Sequence, residues 1–420
     1  MAPPRGPSPP PQGATATIGI FVNCGSVYES QWSMGASHLL EYMAFKTTRN
    51  RTHLRLVREA EAIGANLLAS ASREQMVYNI DTSKATVPEA LELLADAVLN
   101  PKFAAWEVAE QAKRMDEDIK AVASNPQTLL SEVMHAAAFS GALARPLIAP
   151  EGVAANLTAD AVAEFYAQNF VAPRMVLAAS GVDHGELLRM AEPLLGAAAP
   201  GEAAPEPASH YTGGDWRQFS PAPLTHATLA FEAAGGWRDV KGACAMTVLQ
   251  YLLGGGGSFS TGGPGKGMHS RLYRRVLNRH HWVQNCTAVN SLYNDTGLVG
   301  IFASADTAHA GDLVPLLVRE FQAVAAECPA EEVERAKRAA VASVVMNLES
   351  RAVTAEDIGR QVLTYGHRLP VADFLAAMQA LTPADVAKAA AALLKTPPTL
   401  AVLGDVAAVQ RYDEVVKALA

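Results

Sequence analysis

The sequence contains little cysteine. Its four cysteines lie far apart and form no C-x-x-C pair; they are Cys24, Cys244, Cys286 and Cys328. A zinc ribbon needs closely spaced cysteines and a small disulfide-rich fold needs many of them, so neither is predicted. This usage favours a reducing compartment.

Long apolar runs and an excess of positive charge are also missing. The longest apolar segments, such as MVLAASGV and AVASVVMNL, stop well short of the roughly 18 to 20 residues that a membrane span requires. The 34 basic and 42 acidic residues give a formal charge of −8. This balance argues against nucleic acid as a partner and favours a cationic one.

The length of 420 residues, half of them hydrophobic, predicts two folded domains. The first 13 residues, MAPPRGPSPPPQG, are proline-rich and match neither a signal peptide nor a transit peptide. A second stretch rich in Pro, Gly and Ala lies near the middle of the chain and predicts a linker. The predicted segments are a tail at 1–13, an N-terminal domain at 14–197, a linker at 198–216 and a C-terminal domain at 217–420.

Short repeats predict that the two domains share one plan. QAKR begins at 111 and RAKR at 335, while LTADAVAEF begins at 157 and LTPADVAKA at 381, so both pairs are 224 positions apart. Strands are mixed with helix pairs without regular βαβ alternation, which favours an α+β fold over a doubly wound sheet. Apolar periodicity predicts helices at 54–64, 87–97, 104–123, 241–253, 311–325 and 331–349.

The stretch SHLLEYMAF, residues 37 to 45, resembles half of a zinc site. On a helix, His38, Glu41 and Tyr42 project from one face, because they are spaced i, i+3 and i+4. The inverted zincin motif H-x-x-E-H has the same spacing, with two histidines on the metal and a glutamate that takes a proton from zinc-bound water. Here tyrosine occupies the position of the second histidine.

These motifs belong to a wider resemblance to the pitrilysin-type metallopeptidase family, and within it to subunits of the mitochondrial processing peptidase. It extends over nearly all of residues 14–420 and is carried by segments such as ASHLLEYMAFKTT, IGANLLASASREQMVYNID, APRMVLAASGV, NDTGLVGIFAS and EDIGRQVLTYG. The resemblance implies two homologous α/β sandwich domains of the type found in processing peptidases and LuxS-like metallohydrolases.

The resemblance also implies where a zinc site would lie. Catalytic relatives use two histidines and a distant glutamate, which correspond here to His38, Tyr42 and Asp118. A phenol must lose a proton to ligate well, and an aspartate is about 1.5 Å shorter than a glutamate. No catalytic residue and no metal ligand is therefore predicted. His38 and Glu41 are expected to be a core histidine and a hydrogen-bonded carboxylate at a relic site.

A second motif is the segment GGGGSFSTGGPGKG, with eight glycines in fourteen positions. It fits neither the P-loop pattern nor G-x-G-x-x-G. Composition alone predicts a mobile linker, whereas the resemblance to the glycine-rich loop of α subunits implies that it binds presequences. The candidate substrate-binding residues are Gly254, Gly255, Gly256, Gly257, Ser258, Phe259, Ser260, Thr261, Gly262, Gly263, Pro264, Gly265, Lys266 and Gly267. The arginines that follow, Arg271, Arg274, Arg275 and Arg279, are interpreted as a solvated face.

The resemblance implies a non-catalytic, substrate-recognising subunit that passes cationic presequence peptides to the zinc site of a β subunit. No cofactor is expected in this chain, and zinc is expected in the partner. The alternative is a structural core protein of the cytochrome bc1 complex, beside cytochrome b and cytochrome c1, and the two roles are compatible. The implied location is the mitochondrial matrix, either free or on the matrix side of the inner membrane. An independent metalloprotease is disfavoured by Tyr42 and Asp118.

Overall fold

The computed structural model describes residues 13–196, 198–202, 205–258 and 267–419. Its α-helices are α1 (Ala36–Tyr42), α2 (His53–Ala62), α3 (Val87–Leu99), α4 (Ala105–Ala123), α5 (Pro126–Ala138), α6 (Ala159–Asn169), α7 (His184–Leu195), α8 (Val240–Leu253), α9 (Ala310–Ala326), α10 (Ala330–Asn347), α11 (Arg351–Tyr365), α12 (Val371–Ala380), α13 (Pro383–Leu393) and α14 (Tyr412–Leu419). Its strands are β1 (Thr15–Val22), β2 (Asn66–Ala71), β3 (Met76–Ser83), β4 (Phe139–Gly141), β5 (Met175–Ser180), β6 (Ser209–Tyr211), β7 (Gly214–Phe219), β8 (Leu224–Glu232), β9 (Gly255–Gly257), β10 (Val283–Leu292), β11 (Gly297–Asp306) and β12 (Thr399–Gly404). The predicted α+β class is confirmed. No helix in the described ranges is long and apolar enough to cross a membrane.

The chain forms two compact units. Apart from the undescribed residues, the first comprises the chain up to Ile119, Leu147–Glu206 and Met346–Arg368, and the second comprises Lys120–Pro146, Pro207–Val345 and the chain from Leu369 onwards. Lys120–Pro146, from the first half of the sequence, thus belongs to the second unit. Met346–Arg368, from the second half, belongs to the first unit. The boundaries that the sequence predicts at residues 197 and 217, between consecutive domains along the chain, stay a prediction.

The first unit contains a four-stranded antiparallel sheet in the order β2-β3-β1-β5. Side chains alternate between the faces of a strand, and both faces of β1 are covered. Ile18 and Ile20 belong to the core that also contains Leu91 and Leu94 of α3. Phe21 points to the opposite face, where α11 covers the sheet. The apolar run TIGIFV therefore forms a central strand that is buried on both sides.

The second unit contains a six-stranded sheet in the order β7-β12-β8-β11-β10-β9, in which only the β7–β12 pair is parallel. Alternate residues of β8, among them Leu229 and Phe231, belong to the core that also contains residues of α8, α9 and α13. The ring of Phe231 meets that of Phe321 on α9 edge to face, with 4.8 Å between the centroids. This core holds β10 in place, and β10 in turn pairs with the short edge strand β9.

Corresponding elements of the two units confirm the duplication predicted from the repeats. Helix α6 begins at 159 and α13 at 383, and strand β5 begins at 175 and β12 at 399, so each pair is 224 residues apart. Helices α5 and α11, which begin at 126 and 351, also correspond, but each packs on the sheet formed mainly by the other half of the sequence. Helix α5 lies against β12, β7 and β8, and α11 against β5, β1 and β3.

A buried aspartate secures the loop between α1 and α2 to helix α3. Asp96, which is 5% exposed, accepts hydrogen bonds from Thr48 Oγ1 at 2.8 Å, Asn50 Nδ2 at 2.5 Å and Arg51 Nη1 at 3.1 Å. Burial alone would raise the pKa of Asp96, but the hydrogen bonds outweigh it and lower that pKa. The charged form therefore stabilises the folded state.

Asp96→Asn is expected to lower the free energy of unfolding at pH 7 by about 1–3 kcal/mol, because buried donors lose a charged acceptor. A lowered folded-state pKa gives stability that is present above the unfolded pKa and lost as pH falls through the folded value. The difference between wild type and variant should therefore shrink below about pH 4. Denaturant titrations at several pH values test this, and an unchanged difference from pH 7 to pH 3 would contradict it. Glu92→Gln is the control, because Glu92 also binds Arg51 but is 56% exposed, so its removal should cost under about 1 kcal/mol.

Candidate functional site

The two positions with altered zinc ligands contact each other directly. Tyr42 is the last residue of α1, and Asp118 lies near the end of α4. The Tyr42 hydroxyl donates a hydrogen bond to Asp118 Oδ2 at 2.7 Å. The guanidinium carbon of Arg114, one turn earlier on α4, lies 6.0 Å from the centroid of the Tyr42 ring. The Tyr42 phenol and the Asp118 carboxylate therefore form a hydrogen bond with each other, and a metal ion would have to lie between these two groups.

His38 is half-buried beside this pair. Its ring meets that of Tyr42 edge to face, with 5.3 Å between the centroids. The backbone N–H of Ala149 donates to His38 Nδ1 at 3.3 Å. In the neutral ring the proton then lies on Nε2. A histidine that binds metal through Nε2 instead donates an N–H from Nδ1 to an acceptor. The surroundings of His38 therefore favour the tautomer that does not bind metal through Nε2.

Glu41 faces the edge strand β2. Its carboxylate accepts a hydrogen bond from the backbone N–H of Ala71 at 3.2 Å. Burial raises the pKa of Glu41, and the hydrogen bond from Ala71 opposes this only in part. The carboxylate is thus engaged with the backbone of a neighbouring strand.

The residues at this site do not fit a zinc ion. Burial, followed by the hydrogen bond to Asp118, raises the pKa of the Tyr42 phenol, so it is neutral at physiological pH. A neutral phenol is a poor ligand, and zinc is held by thiolate, imidazole and carboxylate groups. Within the part of the chain that the structure describes, no three or more His, Cys, Asp and Glu side chains are arranged to hold a metal.

The glycine-rich segment begins as ordered structure. Gly254 caps the C-terminal end of α8. Gly255, Gly256 and Gly257 then pair with Thr287, Cys286 and Asn285 of β10 as strand β9. The prediction of a mobile loop is wrong for this first part, because backbone hydrogen bonds to β10 replace the missing side-chain contacts. Of the other candidate binding residues, Ser258 and Gly267 are described. The candidate residues from Phe259 to Lys266 lie outside the described residues.

Gly255 must be glycine for a steric reason. Its φ angle of +105° lies in the region that side chains rarely adopt, and a Cβ atom there would approach the carbonyl oxygen of Cys286 to 2.0 Å. Part of the glycine content of the segment is thus explained by the close approach of β9 to β10, rather than by mobility.

The arginines after the segment are not all solvated, which corrects the sequence interpretation. Arg271 is 4% exposed, and its Nε lies 2.6 Å from the Glu332 carboxylate. Arg275 Nε lies 3.1 Å from the buried Glu320 carboxylate. Arg274 and Arg279 are exposed, as predicted. Apolar periodicity could not distinguish the paired arginines from the exposed ones. The carboxylates that pair with them, Glu320 on α9 and Glu332 on α10, lie more than 40 residues further along the chain.

Sequence reasoning also missed two polar side chains at the ends of the glycine-rich segment. Ser270 Oγ accepts a hydrogen bond from the N–H of Gly255 at 3.0 Å. Gln284 Oε1 accepts one from the Ser258 hydroxyl at 3.3 Å. No local motif marks either residue, because both contacts depend on the pairing of β9 with β10.

Comparison with known proteins identifies the family. Residues 9–151 match the family model described as "Insulinase (Peptidase family M16)", and residues 156–340 match "Peptidase M16 inactive domain". The "Probable mitochondrial-processing peptidase subunit alpha-1, mitochondrial" of Arabidopsis thaliana is 51% identical over 403 residues, which cover 95% of this chain and 80% of the relative. The "Mitochondrial-processing peptidase subunit alpha" of Homo sapiens is 34% identical over 429 residues, covering 97% and 81%.

A solved structure shares the fold. A chain of "Complex III2 from Candida albicans, Inz-5 bound" superposes with a TM-score of 0.83, covering 97% of this chain and 95% of that one. Its sequence is 20% identical. At this level the likeness is one of fold.

Proposed function

Since the chain belongs to the insulinase family of peptidases, family M16, we propose that it is the non-catalytic, substrate-recognising α subunit of a mitochondrial presequence-processing peptidase. Its partner is a β subunit that holds the zinc and cuts the presequence. The relatives named as α subunits and the match to an inactive M16 domain support this role, and the relatives' names support a mitochondrial location. The matrix as the compartment is part of the proposal.

The observation that carries the proposal is the hydrogen bond of 2.7 Å between Tyr42 and Asp118. In a hydrolytic member of the family, zinc would lower the pKa of a bound water, and a glutamate beside it would accept the proton. Here the groups at two ligand positions bind each other, and Glu41 binds the backbone of Ala71. The chain therefore contributes to processing by binding rather than by chemistry.

The glycine-rich segment Gly254–Gly267 is the proposed presequence-binding element. Presequences are rich in arginine and poor in acidic residues, and the net charge of −8 favours such cationic peptides. Backbone N–H and C=O groups bind any peptide backbone, so a glycine-rich surface accepts varied sequences. Broad tolerance is what a subunit that serves many precursors requires.

Reconstitution with a processing-peptidase β subunit tests the proposal. Alone, this chain should bind a fluorescein-labelled, arginine-containing presequence peptide without cutting it and without stoichiometric zinc. The heterodimer should cut the peptide. Glu41→Gln should change the rate of the heterodimer by less than about twofold, because Glu41 has no zinc-bound water to deprotonate.

Two results would contradict the proposal. One is stoichiometric zinc, measured by inductively coupled plasma mass spectrometry, together with cleavage by this chain alone. The other is a large loss of heterodimer activity in Glu41→Gln when the thermal unfolding midpoint is unchanged, since that would place a catalytic base in this chain.

A further inference from the structure

The two ends of the glycine-rich segment are joined at one point of the second unit. The N–H of Gly255 donates a hydrogen bond to the hydroxyl of Ser270, fifteen residues later, at 3.0 Å. Ser270 is 9% exposed, so water competes little for this bond. The outgoing strand β9 and the returning chain are therefore held together just before the short π-helix Tyr273–Leu277.

The outgoing end has a second attachment at Ser258. Its N–H donates to the carbonyl of Gln284 at 2.8 Å, and its hydroxyl donates to Gln284 Oε1 at 3.3 Å. Gln284 Nε2 donates in turn to Asp306 Oδ1 at 3.2 Å. The side-chain amide of Gln284 thus links Ser258, at the outgoing end of the segment, to Asp306, the last residue of β11.

The returning end is held by the neighbour of Ser270. Arg271 donates to the carbonyl of Ala323 at 3.2 Å and of Glu327 at 2.6 Å, where α9 ends. Its Nε binds the Glu332 carboxylate at 2.6 Å. These three contacts fix the backbone at 270–271 against the core, and they thereby fix the position of the Ser270 hydroxyl.

We propose that Ser270 and Gln284 are positioning residues for presequence binding, which they support by holding both ends of the glycine-rich segment at a fixed separation. This inference rests on the proposed function of the segment. Backbone groups that are not held in place lose conformational entropy when they bind a ligand. Holding the described ends of the segment, Gly254–Ser258 and Gly267, in place beforehand reduces that cost at the ends and strengthens binding through preorganisation. Neither residue has to touch the peptide.

Fluorescence anisotropy of the full chain with a fluorescein-labelled, arginine-containing presequence peptide tests the proposal. Ser270→Ala and Gln284→Met each remove a hydrogen-bonding group and should raise the Kd about fivefold, as expected for one lost hydrogen bond. Ser209→Ala is the matched control, because Ser209 Oγ accepts from the N–H of Leu143 at 2.9 Å in the same unit, at a different sheet. It should leave the Kd unchanged.

Measurements in a second variant of the chain distinguish a positioning role of Ser270 from a general destabilisation of the fold. In a chain that carries two glycines in place of residues 259–266, here called the excised chain, Ser270→Ala should have no further effect on the Kd. An equal loss of affinity in both backgrounds would overturn the inference, as would wild-type affinity of Ser270→Ala and Gln284→Met in the intact chain. If the excised chain itself binds the peptide like the wild type, the proposed function of the segment fails, and the inference fails with it.

Discussion

The excised chain, paired with a β subunit, is expected to process presequences about a hundredfold more slowly than the wild-type heterodimer, a loss of ~2.7 kcal/mol. The excision removes Phe259, Lys266 and most of the backbone groups of the proposed binding element. It leaves β9, Ser258 and Ser270 in place, so the core of the second unit is retained. The loss should therefore appear as weaker peptide binding.

Steady-state kinetics with a fluorogenic presequence peptide would measure this effect. The apparent KM should rise, whereas the zinc content of the heterodimer and the thermal unfolding midpoint of the chain should stay close to wild type. Lys266→Ala in the intact segment is a useful comparison, because it separates the single charge from the backbone. Processing at the wild-type rate by the excised heterodimer would show that presequences are bound elsewhere.

Much of the fold could be predicted from the sequence, because it depends on local periodicity. All six predicted helices are present, and each end lies within two residues of the prediction, as for the helix predicted at 87–97 and observed at Val87–Leu99. Amphipathic patterns specify which face of a helix is buried. The repeat offset of 224 also predicted that the two halves share one plan, because equivalent helices keep apolar residues at equivalent positions.

The parts that could not be predicted depend on contacts between distant segments. Arg271 and Arg274 look alike in sequence, yet Arg271 is buried against α9 and α10 whereas Arg274 is exposed. Apolar periodicity predicts that one face of a helix is buried, but not which sheet covers it. It therefore could not predict that α5 packs on the sheet of the second unit and α11 on the sheet of the first. At the relic site, the resemblance indicated Tyr42 and Asp118, and only the structure shows the hydrogen bond between them.

Helix α11 is expected to tolerate substitution of its buried small residues poorly, because its backbone lies directly on the sheet of the first unit. Ala355 and Gly359, one turn apart, are both buried on the helix that packs against β1 and β5. A Cβ atom at Gly359 would approach Cδ2 of Phe21 to 2.2 Å and Cγ to 2.3 Å. Phe21 is itself completely buried and cannot move aside. Glycine at this position is therefore required by the distance between helix and strand.

Gly359→Val should lower the free energy of unfolding by about 3 kcal/mol or more, since two methyl groups and a Cβ must enter a space that the Phe21 ring fills. Glu356→Val is the matched control, because it places the same side chain on the exposed face of the same helix and should cost only about 0.5 kcal/mol through helix propensity. Guanidinium titrations followed by circular dichroism would measure both.

A double-mutant cycle identifies the cause. Gly359→Ala alone should be destabilising, although alanine is the better helix former by about 1 kcal/mol. In a Phe21→Ala background the ring is gone, so Gly359→Ala should become neutral or stabilising. Because α11 comes from the second half of the sequence and completes the first unit, its displacement should also expose the β1 and β5 face of the sheet to proteolysis. A wild-type midpoint for Gly359→Val, or additive effects in the cycle, would mean that α11 does not pack on Phe21 in this way.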